Sequence, residues 1–213
     1  GSSKVNVRLI WITPDAEKLL GYIARVSNPK NQDNENVAGL LRYMVEHKHW
    51  SPFEMANACF EIETTRDIGR QILRHRSFAA QEFSQRYADV TLIQSDMVER
   101  ECRLQDVTNR QNSLFCDDDE LAQYWAQMQQ EVFERSMTYY RAALAAGVAK
   151  EQARALLPEG LTKSRMYMNG TLRSWMHYCQ LRTQPETQKE HREIAQAIKD
   201  ELMKHVPTVM ELL

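Results

Sequence analysis

The densest chemistry in the chain lies between Arg74 and Tyr87, in RHRSFAAQEFSQRY, which holds three arginines, a histidine, a carboxylate, two amides and two serine hydroxyls. Such a set suits the capture of an anion, because a guanidinium grips phosphate or carboxylate through paired charge-assisted hydrogen bonds. Arg74, Arg76, Arg86, Arg154 and Arg182 are the candidate cations. No GxGxxG, GxxxxGK[ST] or GxSxG pattern occurs, so the common nucleotide cradles and the serine-hydrolase elbow are missing. His47 and His49 stand two apart, which does not match the HExxH spacing that puts two metal ligands on one helical face, and no metal site is expected. Cys59, Cys102, Cys116 and Cys179 show neither CxxC nor metal-ligand spacing and are expected to be reduced thiols.

These residues need elements to position them. Val5 to Ile12, branched and aromatic, predicts a buried strand. Thr13 and Pro14 predict the cap and first turn of a helix that buries Ala16, Leu19, Leu20, Ile23 and Val26 and ends near Ser27 and Asn28. Residues 30–36 read as a loop, and residues 37–47 as a helix through Val37, Leu40, Leu41, Met44 and Val45. Ser51 and Pro52 break that helix before a strand in which Ala58, Phe60 and Ile62 alternate with Asn57, Cys59 and Glu61. Thr65 is placed to cap a helix with Ile68 and Ile72 on one side and Gln71 and Arg74 sharing another, failing beyond Arg76. Glu82 to Tyr87 then reads as extended, Glu82, Ser84 and Arg86 pointing to one side and Phe83, Gln85 and Tyr87 to the other.

Further on, short strands are expected at residues 90–93 and 99–104. Asp117, Asp118 and Asp119 open a long helix to about Ala146, with an apolar stripe of Leu121, Trp125, Met128, Val132, Tyr139 and Ala143, and Gly147 stops it. Shorter helices are predicted at residues 149–157, 171–182 (burying Leu172, Trp175, Met176 and Cys179) and 187–204 (burying Ile194, Ala197, Ile198 and Leu202), the last ended by Pro207.

The chain has 213 residues, of which 43% are hydrophobic and 26% charged, the make-up of a globular protein and not of a disordered one. One domain is expected, after Gly1 to Ser3 are set aside as a cloning scar. Its 27 basic and 29 acidic residues nearly cancel, so phosphate binding must come from a local cluster, not from a coat of positive charge. No apolar run reaches the ~20 residues that span a bilayer, and a cytoplasmic protein is expected.

RHR at Arg74 to Arg76, then seven residues, Ser84, one residue and Arg86, resembles the signature of the flavin-dependent thymidylate synthases. The resemblance extends to ARVSNP (Ala24 to Pro29), HWSPFE (His49 to Glu54), Gln71, Arg154 ahead of LLP, and LRSWMHYCQLR (Leu172 to Arg182), and so covers nearly the whole chain from Val5. It implies an α+β fold, a mixed or antiparallel sheet flanked by helices, in a homotetramer with active sites between subunits. It also implies methylation of dUMP to dTMP, with methylene-tetrahydrofolate as carbon donor, FAD as carrier and NADPH as reductant. By the same resemblance, Gln71, Arg74, Glu82, Ser84, Gln85, Arg86, Arg154 and Arg182 bind dUMP. Ser27, Ser51, Glu54, Arg74, His75, Arg76, Gln81, Glu82, Arg173 and His177 bind FAD, with His49 at the flavin and folate; Arg182, His49 and Ser84 are the catalytic set. Ala79, Gln81, Thr171 and Glu186 stand where the family commonly has serine, asparagine, asparagine and histidine.

None of the cysteines lies in the motif, so the ring of uracil must be activated without an enzyme thiol, and Arg182 fits a cation that stabilises negative charge on it. No base is fixed beside Ser84, which favours a binding role for its hydroxyl. The arginines alone would equally serve a nucleotide- or RNA-binding module without chemistry, whose affinity would fall steeply with salt.

Overall fold

A computed structural model describes residues 6–82 and 97–213. In chain order it shows β1 (Asn6–Ile12), α1 (Ala16–Ala24), α2 (Ala38–Glu46), β2 (Asn57–Thr65), α3 (Arg66–Leu73), β3 (Ala79–Glu82), β4 (Arg103–Gln105) and β5 (Ser113–Phe115). There follow α4 (Asp119–Ala145), α5 (Lys150–Ala153), β6 (Lys163–Thr171), α6 (Leu172–Arg182), α7 (Lys189–Met203) and α8 (Pro207–Met210), with 3-10 turns at Pro29–Asn31, Ser51–Met55 and Arg154–Leu156. The fold is α+β, with strands in the order β1-β2-β6-β3 and a separate β4-β5 pair.

Side-chain partners across the sheet run in opposite senses, the mark of antiparallel pairing. Arg8 donates to Glu61 at 2.8 Å and Asn6 to Glu63 at 3.0 Å, while on the other side of β2 Tyr167 donates to Glu61 at 3.3 Å and Lys163 pairs with Glu63 at 3.2 Å. On the opposite face Ala58, Phe60 and Ile62 are buried as their alternation predicts. β1 is a strand but not a buried one: it lies at the sheet edge, leaving Ile10 44% and Trp11 49% exposed. β6 carried no recognised pattern, yet Ser164, Met166, Met168 and Gly170 are buried in strict alternation. β3 covers the start of the expected extended segment; Phe83 to Tyr87, with Ser84, Gln85 and Arg86, and the strand expected at 90–93 lie outside the described residues.

The chain folds as two compact units. In the unit containing residues 63–73 and 82–166, α4 packs on the segment after it through Phe133, Met137, Tyr140, Ala153, Leu157 and Leu161. The expected stripe is thus corrected, since Leu121, Val132 and Tyr139 are exposed and the buried face includes Gln129. Gln129 is tolerated there because its amide is satisfied, accepting from the Arg100 N–H at 2.6 Å and donating to the Arg100 carbonyl at 3.1 Å. The acidic start is as expected, with Asp118 accepting from the Leu121 N–H at 3.1 Å, and Gly147 stops the helix at φ 93°. The strand expected at 99–104 is β4, displaced to residues 103–105 and hairpinned to β5.

The unit containing residues 7–62, 74–81 and 167–213 packs α6 against α7 and the 3-10 turn at Ser51–Met55, and α8 against α7 and α2. Its buried side chains include Leu20, Leu41, Phe53, Trp175, Met176, Ile194, Ile198 and Leu202. Thr13 does not cap α1: its hydroxyl accepts from the Asn57 N–H at 2.9 Å, and the cap position is Asp15, in a left-handed conformation. α1 also stops at Ala24, short of Ser27, and Pro207 opens α8 in place of simply ending α7.

Candidate active site

Two segments far apart in sequence meet at the end of α6. The helix is capped by Thr171, whose hydroxyl accepts from the Ser174 N–H at 3.1 Å. Its last residue, Arg182, sits at the negative end of the helix dipole, half-buried, and donates from Nε to Nε2 of His75 at 2.9 Å. An arginine can only donate, so His75 must offer a lone pair and be the neutral Nδ1–H tautomer. Burial and the Arg182 charge both push the His75 pKa below its usual value, which keeps it in that state.

His75 is fixed by rings: it meets Tyr178 edge-on with centroids 5.0 Å apart and Phe78 at 6.5 Å. Phe78 also packs on Trp175 at 4.5 Å, and Trp175 Nε1 donates to the Ala58 carbonyl at 2.9 Å, tying the arginine-rich turn to the central strand. Room for Phe78 exists because position 170 lacks a side chain. A Cβ on Gly170 would stand 2.3 Å from Phe78 Cδ1 and 2.5 Å from Cε1. Gly170→Ala is therefore expected to cost about 1–3 kcal/mol by overpacking and to loosen the His75–Arg182 contact, readable as a lower urea midpoint together with reduced turnover.

Behind this contact Tyr178 hydroxyl and His191 Nε2 are hydrogen-bonded at 2.9 Å, both residues buried. Burial, and after it the Arg182 charge, depresses the His191 pKa to about 3, while burial above all raises that of Tyr178. In the unfolded chain His191 takes up a proton below about 6.5, whereas in the folded chain it stays neutral to about 3. Stability therefore falls as pH drops through that window, by up to ~1.4 kcal/mol per pH unit. His191→Gln is expected to flatten this acid limb, seen in urea midpoints taken from neutral to acid pH.

A second group forms at the other end of α6. Arg173 Nη1 contacts Glu54 Oε1 at 3.1 Å, both partly exposed, and the His177 ring stands edge-on to Trp50 at 4.7 Å. Burial and the Arg173 charge lower the His177 pKa. Among the other expected residues of this unit, Ser27, His49, Ser51, Arg74, Arg76 and Gln81 are exposed; α3 ends at Leu73, earlier than the expected end at Arg76. His49 lies edge-on to Tyr43 at 5.8 Å. In the other unit Gln71 is half-buried on α3, Arg154 half-buried in a 3-10 turn and Glu82 exposed at the end of β3. Tyr178, His191 and Trp50 were not foreseen; the only sequence signal was a histidine at the i, i+3, i+7 positions of the Ile194–Ile198 stripe of α7.

Cys59, Cys102 and Cys179 are not activated thiols. Burial raises the pKa of Cys59 and pushes that of Cys179 up to about 12, and Cys102 is raised as well. Among the described residues no cluster of His, Cys, Asp and Glu could hold a metal ion.

The α+β fold joins Arg182 to His75 at the end of α6. Residues 8–208 match the family described as thymidylate synthase complementing protein. The chain is 46% identical over 199 residues to the probable flavin-dependent thymidylate synthase of Paramecium bursaria Chlorella virus 1, covering 93% of this chain and 90% of that protein. It is 50% identical over 200 residues to the flavin-dependent thymidylate synthase of Synechocystis sp., covering 92% and 89%. Its fold matches the crystal structure of the UMP/dUMP methylase PolB from Streptomyces cacaoi bound with 5-Br dUMP, with a TM-score of 0.82, 26% identity and coverage of 99% and 94%. The chain belongs to the thymidylate synthase complementing protein family.

Proposed function

We propose that the chain converts dUMP to dTMP, taking the carbon from methylene-tetrahydrofolate and the reducing equivalents from NADPH, as one functional domain that works without a cysteine nucleophile. The observation that carries this is the guanidinium of Arg182 donating to neutral His75. Held by one edge, Arg182 keeps its other N–H groups for an incoming uracil, where they stabilise negative charge as the ring becomes electron-rich. The protonated state of buried Cys179 supports the same route, since a thiol that stays protonated cannot add to the ring.

FAD, when bound, supplies the carrier between reductant and transferred carbon. Arg173, Glu54 and His177 with Trp50 offer a cation, a carboxylate and aromatic surface, the groups a flavin's pyrophosphate and rings take. Ser27, Ser51, Arg74, His75, Arg76, Gln81 and Glu82 complete that set, Gln71, Arg74, Glu82, Ser84, Gln85, Arg86 and Arg154 hold the nucleotide, and His49 serves the folate step. Exposed Tyr124, Val132 and Tyr139 on α4 support assembly as a homotetramer with sites between subunits. The enzyme works in the cytoplasm, its own cell's or a host's; no helix among the described residues is long and apolar enough to cross a membrane.

The test is direct. Purified protein should turn yellow with FAD and release tritium from ring-labelled dUMP when methylene-tetrahydrofolate and NADPH are supplied. Protein that stays colourless and takes up no FAD, or that holds FAD and releases no tritium, overturns the proposal.

A further inference from the structure

The β4-β5 hairpin carries a feature that the methylation chemistry does not use. Its register sets Arg103 opposite Phe115, Leu104 opposite Leu114 and Gln105 opposite Ser113. Continued one residue outward, that register sets Cys102 opposite Cys116. Directly opposed residues of an antiparallel pair have α-carbons about 4.5–5.5 Å apart, inside the roughly 4.4–6.8 Å span of disulfide bonds. Both cysteines are free, Cys116 buried and Cys102 half-buried, and Cys116 is near enough to raise the Cys102 pKa. The stem is braced beside them, Arg103 Nε donating to Ser113 Oγ at 2.7 Å across the strands. Cys116, buried, donates from Sγ to the carbonyl of Asp118 at 3.6 Å, and Asp118 is the cap of α4.

We propose that Cys102 and Cys116 form a redox modification site, closing to an intramolecular disulfide that clasps the base of the hairpin where it enters α4. The oxidant is a low-molecular-weight disulfide of the glutathione type. Cys102, the more accessible thiol, attacks it as the thiolate, releasing one small thiol and forming a mixed disulfide. The Cys116 thiolate then attacks the Cys102 sulfur and releases the second. Two protein thiols give up two hydrogens, and one small disulfide becomes two small thiols.

The local charges set the rate. Cys102 is held protonated by burial, by the neighbouring Cys116 and by the negative charges of Asp118 and Glu101, while the nearby cation Arg103 pairs with Glu101 at 3.4 Å. Closure is therefore slow in neutral buffer and faster in alkaline buffer, where the thiolate fraction grows.

The experiment treats the full chain with glutathione disulfide in alkaline buffer and follows intact mass and a non-reducing peptide map. The expected result is a monomeric chain lighter by two hydrogen atoms, with Cys102 linked to Cys116, and dithiothreitol restores the original mass. Cys116→Ser should instead accumulate a stable glutathione adduct on Cys102, and Cys59→Ser should close as the wild type does. Persistent adducts on both cysteines, a bridge to Cys59 or between chains, or no mass change in the native protein while the urea-unfolded chain reacts, would each overturn the proposal. Its outcome is independent of methylation activity.

Discussion

Arg182→Ala is expected to lower kcat about 10²–10³-fold, the loss seen when one pre-aimed donor to a developing anion is removed, while the protein still binds FAD and stays yellow. The expectation follows from the His75–Arg182 contact at 2.9 Å, which aims the guanidinium before substrate arrives and so spares its reorganisation during the reaction. Tritium release from ring-labelled dUMP, read beside the flavin spectrum, separates loss of chemistry from loss of cofactor. Turnover within a few-fold of wild type would remove Arg182 from ring polarisation. Arg182→Lys should recover little, because an ammonium lacks the Nε–H that pairs with His75 and the planar fork that remains for the ring.

Trp175→Ala carries the largest expected cost in stability, about 3–5 kcal/mol. Trp175 is fully buried, its ring stands edge-on to Phe60, Phe78 and Tyr178 at 5.0, 4.5 and 5.7 Å, and its indole N–H satisfies the Ala58 carbonyl of the central strand. Removing it opens a cavity, orphans a buried carbonyl and frees Phe78, so the His75 ring loses a neighbour. Urea unfolding should show a lower midpoint with little change in slope. Trp175→Phe fills most of the cavity but lacks the donor and should cost about 1–3 kcal/mol. A tryptophan variant as stable as wild type would mean that the ring cluster does not hold the site.

Much of the local structure was legible because its signals are local. The alternation of Ala58, Phe60 and Ile62, the acidic start of α4 at Asp117 to Asp119, the stop at Gly147 and the buried face of α6 each depend on a few neighbouring residues. The site motif was legible for a different reason, since RHR with Ser84 and Arg86 at fixed spacing is long enough to be specific. The failures share a cause too. α4 is apolar on more than one side, and periodicity cannot say which side is covered when a buried Gln129 is chosen through its amide bonds to Arg100. Thr13 reads as a cap, but its hydroxyl found the Asn57 backbone across the strand pair first. β6 alternates, yet Ser164 and Gly170 on its buried face and Tyr167 on its outer face hide the pattern from a reading of hydropathy alone.

By itself the sequence determined the residue types available for chemistry and the order in which they occur: arginines to grip an anion, no phosphate loop, and no cysteine in the motif. Only the tertiary structure decided protonation and aim. His75 is neutral and accepts from Arg182, 107 positions away; His191 is buried against Tyr178; Gly170 makes room for Phe78. Each of these joins separated residues through solvent exclusion and ring packing. Those effects depend on which surfaces meet when the chain closes on itself, and a linear order of side chains does not contain them.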